Sequence, residues 1–69
     1  SPKHHFSFYK GKIDIEDNVF IGYNVIISKL LKIGEGSIIC ANSVVVKDVL
    51  PNTVVAGIPA KHIRTLINE

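Results

Sequence analysis

The stretch Ile15–Leu50 reads IEDNVF, IGYNVI, ISKLLK, IGEGSI, ICANSV and VVKDVL, six units of six residues that each open with Ile or Val. Neither an α-helix nor a flat strand repeats every six residues, so the chain has to turn a corner once in each unit. Three corners close a triangular coil of eighteen residues, which predicts a parallel β-helix with residue i beneath residue i+18. The predicted stacked pairs are Ile15 with Ile33, Ile21 with Ile39, and Ile27 with Val45.

The fourth position of each unit indicates how the corner is made. Five of the six residues there are Asn, Asp or Gly, which tolerate positive φ, and Leu30 is the exception. These positions are Asn18, Asn24, Leu30, Gly36, Asn42 and Asp48. Because Asn24 and Asn42 stack, we expect their side chains to form a short amide ladder. The fifth positions are expected to point into the narrow corners of the prism: Val19, Val25, Leu31, Ser37, Ser43 and Val49.

Strand alternation turns the residue before each opening aliphatic outward. These outward residues are Phe20, Ile26, Lys32, Ile38, Val44 and Leu50. Five of the six are apolar, so Phe20 over Ile38 and Ile26 over Val44 are expected to form hydrophobic stripes on two faces. Large apolar stripes mark a partner surface, and a closed homo-oligomer repeats the same patch on every copy.

Both ends of the chain depart from the six-residue period. We predict an entry loop over residues 1–12, the β-helix over residues 13–56, and a turn with a short capping helix over residues 57–69. Within the entry loop, the loose alternation of Phe6, Phe8 and Tyr9 predicts one short extended piece. Val54 and Val55 are expected to add one last partial rung. Pro59 suits the opening of a helix, with Ile63, Leu66 and Ile67 on one face and Lys61, His62 and Arg64 on the other.

Composition excludes some classes of partner. The chain has 69 residues, a formal net charge of +2 and one cysteine, Cys40. No Lys/Arg run is long enough to indicate nucleic-acid binding, and no apolar run is long enough to span a membrane. A single cysteine forms no internal disulfide, which fits a cytoplasmic protein. Two coils leave apolar ends uncovered, so we interpret the chain as the C-terminal part of a longer protein.

Three motifs carry a family resemblance: Phe20–Gly22 (FIG), Ile39–Asp48 (ICANSVVVKD), and Gly57–Lys61 (GIPAK) with Ile63–Arg64. The run Val19–Arg64 resembles the C-terminal coils of the hexapeptide-repeat acyltransferases, in particular the galactoside, maltose and capsular-polysaccharide O-acetyltransferases. The resemblance implies an all-β, left-handed parallel β-helix, a homotrimer, and acetyl-CoA as cosubstrate. The implied activity is acetyl transfer to a hydroxyl of a sugar or saccharide, with serine and antibiotic acceptors as the alternatives.

The same resemblance implies the residues of the site. Matched position by position, the cofactor contacts are Tyr23, Ala41, Val46, Lys47, Lys61 and Arg64. Three residues apart on the predicted helix, Lys61 and Arg64 could face one anion. In relatives, the catalytic base is a histidine upstream of the aromatic-Ile-Gly rung. Here it is His4, His5 or a histidine before Ser1.

Two alternatives remain to be compared. The gamma-type carbonic anhydrases share this prism and bind zinc through three histidines, but His4, His5 and His62 all lie outside the six-residue units, so we predict no metal. The second alternative is a non-catalytic β-helix that serves as an oligomerisation module of another enzyme, such as a nucleotidyltransferase. The chain also departs from the family pattern at Cys40 and Asn42, where the family has Gly, and at Val46, where it has Thr.

Overall fold

A computed structural model describes residues 4–8 and 11–67, with side-chain surroundings for residues 12–67. The described chain is built of nine strands and contains no helix. Its strands are β1 His4–Phe8, β2 Gly11–Ile15, β3 Phe20–Ile21, β4 Ile26–Ile27, β5 Lys32–Ile33, β6 Ile38–Ile39, β7 Val44–Val45, β8 Thr53–Gly57 and β9 Ala60–Thr65. No helix of these residues is long and apolar enough to cross a membrane.

The strands stack into three faces. The first face contains β1, β2 and β5, the second contains β3, β6, β8 and β9, and the third contains β4 and β7. Parallel pairing joins Ile15 to Ile33, Ile21 to Ile39, and Ile27 to Val45. Each of these pairs is separated by eighteen residues, so the stacking predicted from the six-residue period is confirmed.

Positive φ occurs at five of the six predicted corners. The angles are 59° at Asn18, 58° at Asn24, 64° at Leu30, 74° at Gly36 and 64° at Asn42. Leu30 adopts this angle because its neighbours in the coil impose the corner, although a branched residue is disfavoured there. Four of the six opening aliphatics are buried in the core, where Ile33 and Ile39 are 0% exposed, and the other two, Ile21 and Ile27, are partly buried against it.

The prediction of a sixth corner at Asp48 is wrong. The last coil is two residues shorter than the first, since Ile33 bridges to Val49 and Ile39 pairs with Val55. Asp48 has no positive φ, and the next corner, which stacks on Gly36, has its positive φ at Asn52, at 56°. Val54 and Val55 form the predicted last rung on β6.

Two buried serines hold the last coil. The Ser37 hydroxyl donates to the Leu50 carbonyl at 2.7 Å and accepts from the Thr53 N–H at 3.1 Å. The Ser43 hydroxyl accepts from the Gly57 N–H at 3.2 Å. Both serines are 0% exposed. Their small side chains therefore fill the corners while supplying hydrogen bonds that Ala or Val could not.

The predicted capping helix is wrong. Residues Ala60–Thr65 form β9, which pairs antiparallel with β8 through the turn 57–60. Gly57 turns the chain at φ 109°, and Pro59 lies in that turn rather than opening a helix. The free edge of β8 offers backbone partners to this segment, and this tertiary pairing outweighs the weak helical pattern. The supposed apolar face is not buried as a unit, since Ile63 is 57% exposed and Ile67 81% exposed.

The N-terminal segment is extended over His4–Phe8. The sequence predicts a loop over residues 1–12 with one short extended piece, and in the structure β1 is a strand that pairs antiparallel with β2. In this pairing Phe8 opposes Gly11 and His4 opposes Ile15. Residues 1–3 and 9–10 of the predicted loop, and residues 68–69 of the predicted helix, lie outside the described part of the chain.

Candidate functional site

The third face lies between two corners that carry four of the six predicted cofactor contacts. One, the Tyr23 corner, consists of residues 22–25 and 40–43. The other, the Lys47 corner, consists of residues 28–31 and 46–48. Tyr23 and Ala41 lie on the Tyr23 corner, whereas Val46 and Lys47 lie on the Lys47 corner.

The Tyr23 corner is tightly stacked. The Tyr23 carbonyl accepts from the Asn42 N–H at 3.1 Å. The Asn24 side chain donates to the Asn42 side chain at 2.7 Å, which confirms the predicted amide ladder. A Cβ added at Gly22 would lie 2.7 Å from the Ala41 nitrogen, so this position requires glycine. The Tyr23 side chain is 75% exposed on this rigid corner.

A cavity of about 360 Å³ opens between the Lys47 corner and the β8–β9 hairpin. Val46, Lys47 and Lys61 border it, so the structure brings together three of the predicted contacts. The buried core residues Val45, Val49 and Val55 also line it. An apolar floor with cations at its rim suits a ligand that is apolar in one part and anionic in another.

His62 also lines this cavity, and sequence reasoning did not place it in the site. Its Nε2 lies 3.0 Å from the Thr65 hydroxyl oxygen. His62 pairs with Val55, a core residue, in the β8–β9 hairpin. The predicted helix placed His62 on the face opposite the apolar residues. A strand over residues 61–65 would have indicated its position beside the cavity.

Lys61 and Arg64 share one side of β9 because the strand is irregular. Lys61 pairs with Ala56 and Arg64 with Val54, while a register shift leaves Ile63 without a counterpart. Opposed residues share a side of the sheet, and Ala56 and Val54 are two apart on β8. Lys61 and Arg64 therefore lie on the same side of β9 because of this register shift, and not because of the helical spacing that the sequence predicts. Arg64, however, does not line the cavity.

The three cations that the sequence predicts as cofactor contacts are available for a ligand. Lys47, Lys61 and Arg64 are all exposed. Within the described residues, none of the three is held in an ion pair. By contrast, Lys32 on the first face binds Glu16 at 3.3 Å. An unpaired lysine on an open rim can bind an anion without first breaking an internal salt bridge.

The outward apolar stripes are present on the second and third faces. Phe20 is 65% exposed above Ile38, and Ile26 is 62% exposed above Val44. Ile38 and Val44 are each partly buried. On the first face the corresponding outward position holds Lys32, so that face is polar. Two of the three faces therefore offer apolar surface to a partner.

The structure does not locate the proposed base. The backbone of β1 places His5 opposite Asp14 and His4 opposite Ile15, but both side chains lie outside the described part of the chain. Tyr23 and Ala41 lie on a different corner, and neither of these two residues lines the cavity. Among the residues that are described, no group of three or more His, Cys, Asp or Glu side chains could hold a metal ion.

The chain resembles acetyltransferases of known sequence, although no protein-family model matches it. It is 54% identical over 52 residues to the 2,3,4,5-tetrahydropyridine-2,6-dicarboxylate N-acetyltransferase of Clostridium perfringens, covering 75% of this chain and 22% of the relative. It is 45% identical over 58 residues to the galactoside O-acetyltransferase of Escherichia coli, covering 84% and 29% respectively. The chain thus spans less than a third of each relative.

Solved structures of acetyltransferases also resemble this chain. A hexapeptide-repeat acetyltransferase of Vibrio cholerae complexed with acetyl coenzyme A superposes with a TM-score of 0.79 at 39% identity, over 97% of this chain and 42% of that one. The serine acetyltransferase of Neisseria gonorrhoeae superposes with a TM-score of 0.82 at 36% identity, over 93% and 25%. Three of these four proteins are named for an acceptor, and the three acceptors differ, whereas acetyl transfer is common to all four.

Proposed function

We propose, from the membership of this chain in the hexapeptide-repeat acetyltransferases, that it is part of an enzyme that transfers acetyl groups from acetyl-CoA. The observation that carries the proposal is the rim of the cavity, where Lys47 and Lys61 are exposed and unpaired beside an apolar floor. Coenzyme A combines phosphates with a long, largely uncharged arm. This combination fits a cationic rim next to an apolar surface.

Each proposed contact has a distinct part. Lys47 and Lys61 bind phosphate oxygens through charge-assisted hydrogen bonds, each contributing about 1.5 to 3 kcal/mol. Arg64 shares the side of β9 with Lys61 and extends the cationic surface beyond the cavity. Tyr23, Ala41 and Val46 border the third face, and the uncharged arm would lie along this face in the groove between two copies of the coil.

The chemistry requires few groups because a thioester is already activated. As the acceptor oxygen attacks the thioester carbonyl, a base takes the hydroxyl proton, and collapse of the tetrahedral intermediate releases the coenzyme A thiolate. We propose His4 or His5 as that base, on β1. The alternative is a histidine before Ser1. His62 is not assigned the role of the base.

The proposed acceptor is a hydroxyl of a sugar or saccharide. This choice is supported by the motifs shared with sugar O-acetyltransferases and by the identity to the galactoside enzyme. Amine acceptors are the competing class, because another relative is an N-acetyltransferase. A panel of galactosides, serine and amino-dicarboxylates, with release of free thiol as the readout, tests the choice. Turnover confined to the amines would reject it.

We also propose that the enzyme is a left-handed coil that assembles as a cytoplasmic homotrimer. The handedness rests on the likeness to the hexapeptide-repeat acetyltransferases. The apolar residues on two faces, Phe20 with Ile38 and Ile26 with Val44, support the assembly. Covering them with identical copies would remove exposed hydrophobic surface from water. The single cysteine supports the compartment.

Titration of coenzyme A into the full-length protein tests the proposal itself. Lys47→Ala is expected to weaken binding about tenfold or more, by the loss of a charge-assisted contact. Lys12→Ala is the matched control, because Lys12 is also exposed but does not border the cavity. If the wild-type protein bound no coenzyme A, the non-catalytic oligomerisation module would be the better interpretation.

A further inference from the structure

The shortened last coil disturbs a regular pattern of backbone hydrogen bonds. In the first coil, the N–H at the start of a rung donates to the carbonyl seventeen residues later. Three bonds follow this pattern: Asp14 to Leu31, Phe20 to Ser37 and Ile26 to Ser43, each 2.9 Å long. For Lys32 the same spacing leads to the Val49 carbonyl, but that carbonyl accepts from the Gly34 N–H at 2.7 Å.

Asp48 supplies the acceptor that the shortened coil removes. Its Oδ1 accepts from the Lys32 N–H at 2.9 Å. The Lys32 carbonyl in turn accepts from the Val49 N–H at 2.9 Å. Both backbone polar groups of Lys32 thus bind consecutive residues, Asp48 in the Lys47 corner and Val49 directly after it. A carboxylate is well suited to this position, since an ionised acceptor makes a shorter and stronger bond to an amide.

The corner fixed in this way is short. Only Val46, Lys47 and Asp48 connect Val45, which pairs with Ile27, to Val49, which bridges to Ile33. The direction of Lys47 therefore depends on how its neighbour Asp48 is held. The Asp48 carboxylate also faces the Lys32 amide, and within the described chain it forms no ion pair with Lys47. The ammonium of Lys47 is left for a ligand.

We infer that Asp48 is a positioning residue, whose bond to the Lys32 backbone sets the Lys47 corner so that Lys47 reaches the rim of the cavity. The inference rests on the proposed binding of coenzyme A phosphates by Lys47. It adds to that proposal an acid that borders the same cavity and whose Oδ1 binds the Lys32 amide. An acid beside an anion site would ordinarily weaken the binding of the anion. Here the hydrogen bond from the Lys32 amide to Asp48 offsets that loss by positioning Lys47.

Two substitutions at Asp48 separate the bond from the charge. Asp48→Asn keeps an oxygen acceptor for the Lys32 N–H and removes a negative charge, so coenzyme A affinity in the full-length protein should stay within about twofold or improve. Asp48→Ala removes the acceptor, so affinity should fall about three- to tenfold, in the range of coupling between neighbouring groups. If both variants bound coenzyme A more tightly, Asp48 would act only through its charge, and the inference would be rejected.

A double-mutant cycle with Lys47→Ala separates positioning from general stability. Once Lys47 is truncated, adding Asp48→Ala should produce no further loss of affinity, because the contact that it positions is gone. A purely structural role would lower affinity equally in both backgrounds and would contradict the inference. Hydrogen exchange at the Lys32 amide should be faster in Asp48→Ala and close to wild type in Asp48→Asn.

The cycle also distinguishes this inference from the proposed function. If Lys47→Ala alone leaves the affinity unchanged, the proposed cofactor contact is wrong, and the inference fails with it. If Lys47→Ala weakens binding and Asp48→Ala does not, the cofactor contact stands and the positioning role is rejected. Should Asp48→Ala fail to fold, Asp48→Glu replaces it. Its acceptor is displaced by one methylene, so the same three- to tenfold loss is expected.

Discussion

Asn42→Val tests whether the corners of the coil determine its stability. Asn42 has a φ of 64° and accepts the Asn24 side-chain amide at 2.7 Å. Valine places a β-branched side chain at an angle it disfavours, which costs about 1 to 3 kcal/mol. Losing a neutral, exposed hydrogen bond adds about 0.5 to 1 kcal/mol. The free energy of unfolding should therefore fall by about 1.5 to 4 kcal/mol in total.

Asn42→Gly provides the matched comparison, since glycine accepts a φ of 64° but also removes the amide. It should cost about 1 kcal/mol, from the lost hydrogen bond and the greater freedom of the unfolded chain. Urea unfolding of the full-length variants, at equal protomer concentration, measures both. Equal losses in the two variants would show that positive φ contributes nothing, and the reasoning about the corners would be refuted.

Three other predictions concern strain, assembly and catalysis. Leu30→Asn should raise the unfolding free energy by about 0.5 kcal/mol, because relief of the strained φ at a 69% exposed side chain exceeds the small loss of burial, and urea unfolding measures it. Ile38→Lys should dissociate the proposed trimer in sedimentation by burying an unpaired charge, whereas Glu35→Lys should not, and a persistent Ile38→Lys trimer would reject that interface. His4→Ala or His5→Ala should lower kcat about 10²- to 10⁴-fold while coenzyme A affinity holds, and full activity in both would place the base elsewhere.

The fold of the repeat was predictable because a period of six residues determines the geometry of the coil. A corner every six residues determines which residues stack, and the observed pairing of Ile15 with Ile33 follows from it. The shortened last coil was not predictable, since the six-residue pattern continues through Leu50 without a gap. Val49 occupies an inward corner in the predicted register and an inward bridge in the observed one, so its hydrophobicity fits both.

The hairpin at the C-terminal end shows where short apolar patterns are ambiguous. Ile63, Leu66 and Ile67 are spaced as on a helix, but the available edge of β8 decided the outcome. The sequence predicts Lys61, His62 and Arg64 on one helix face, whereas the strand leaves Lys61 and Arg64 on one side and places His62 opposite Val55. His62 was missed for the same cause, since its position in the cavity depends on a pairing with Val55 that the sequence pattern does not reveal.

The binding of coenzyme A phosphates at the rim of the cavity is tested most directly by a comparison of coenzyme A with pantetheine, which lacks the nucleotide phosphates. If the rim of the cavity binds those phosphates, Lys47→Ala and Lys61→Ala should each weaken coenzyme A about tenfold or more in the full-length protein. The same variants should leave pantetheine affinity unchanged, and the loss should shrink at high salt. An equal loss for both ligands, or no loss for either, would contradict the assignment of this rim to the cofactor.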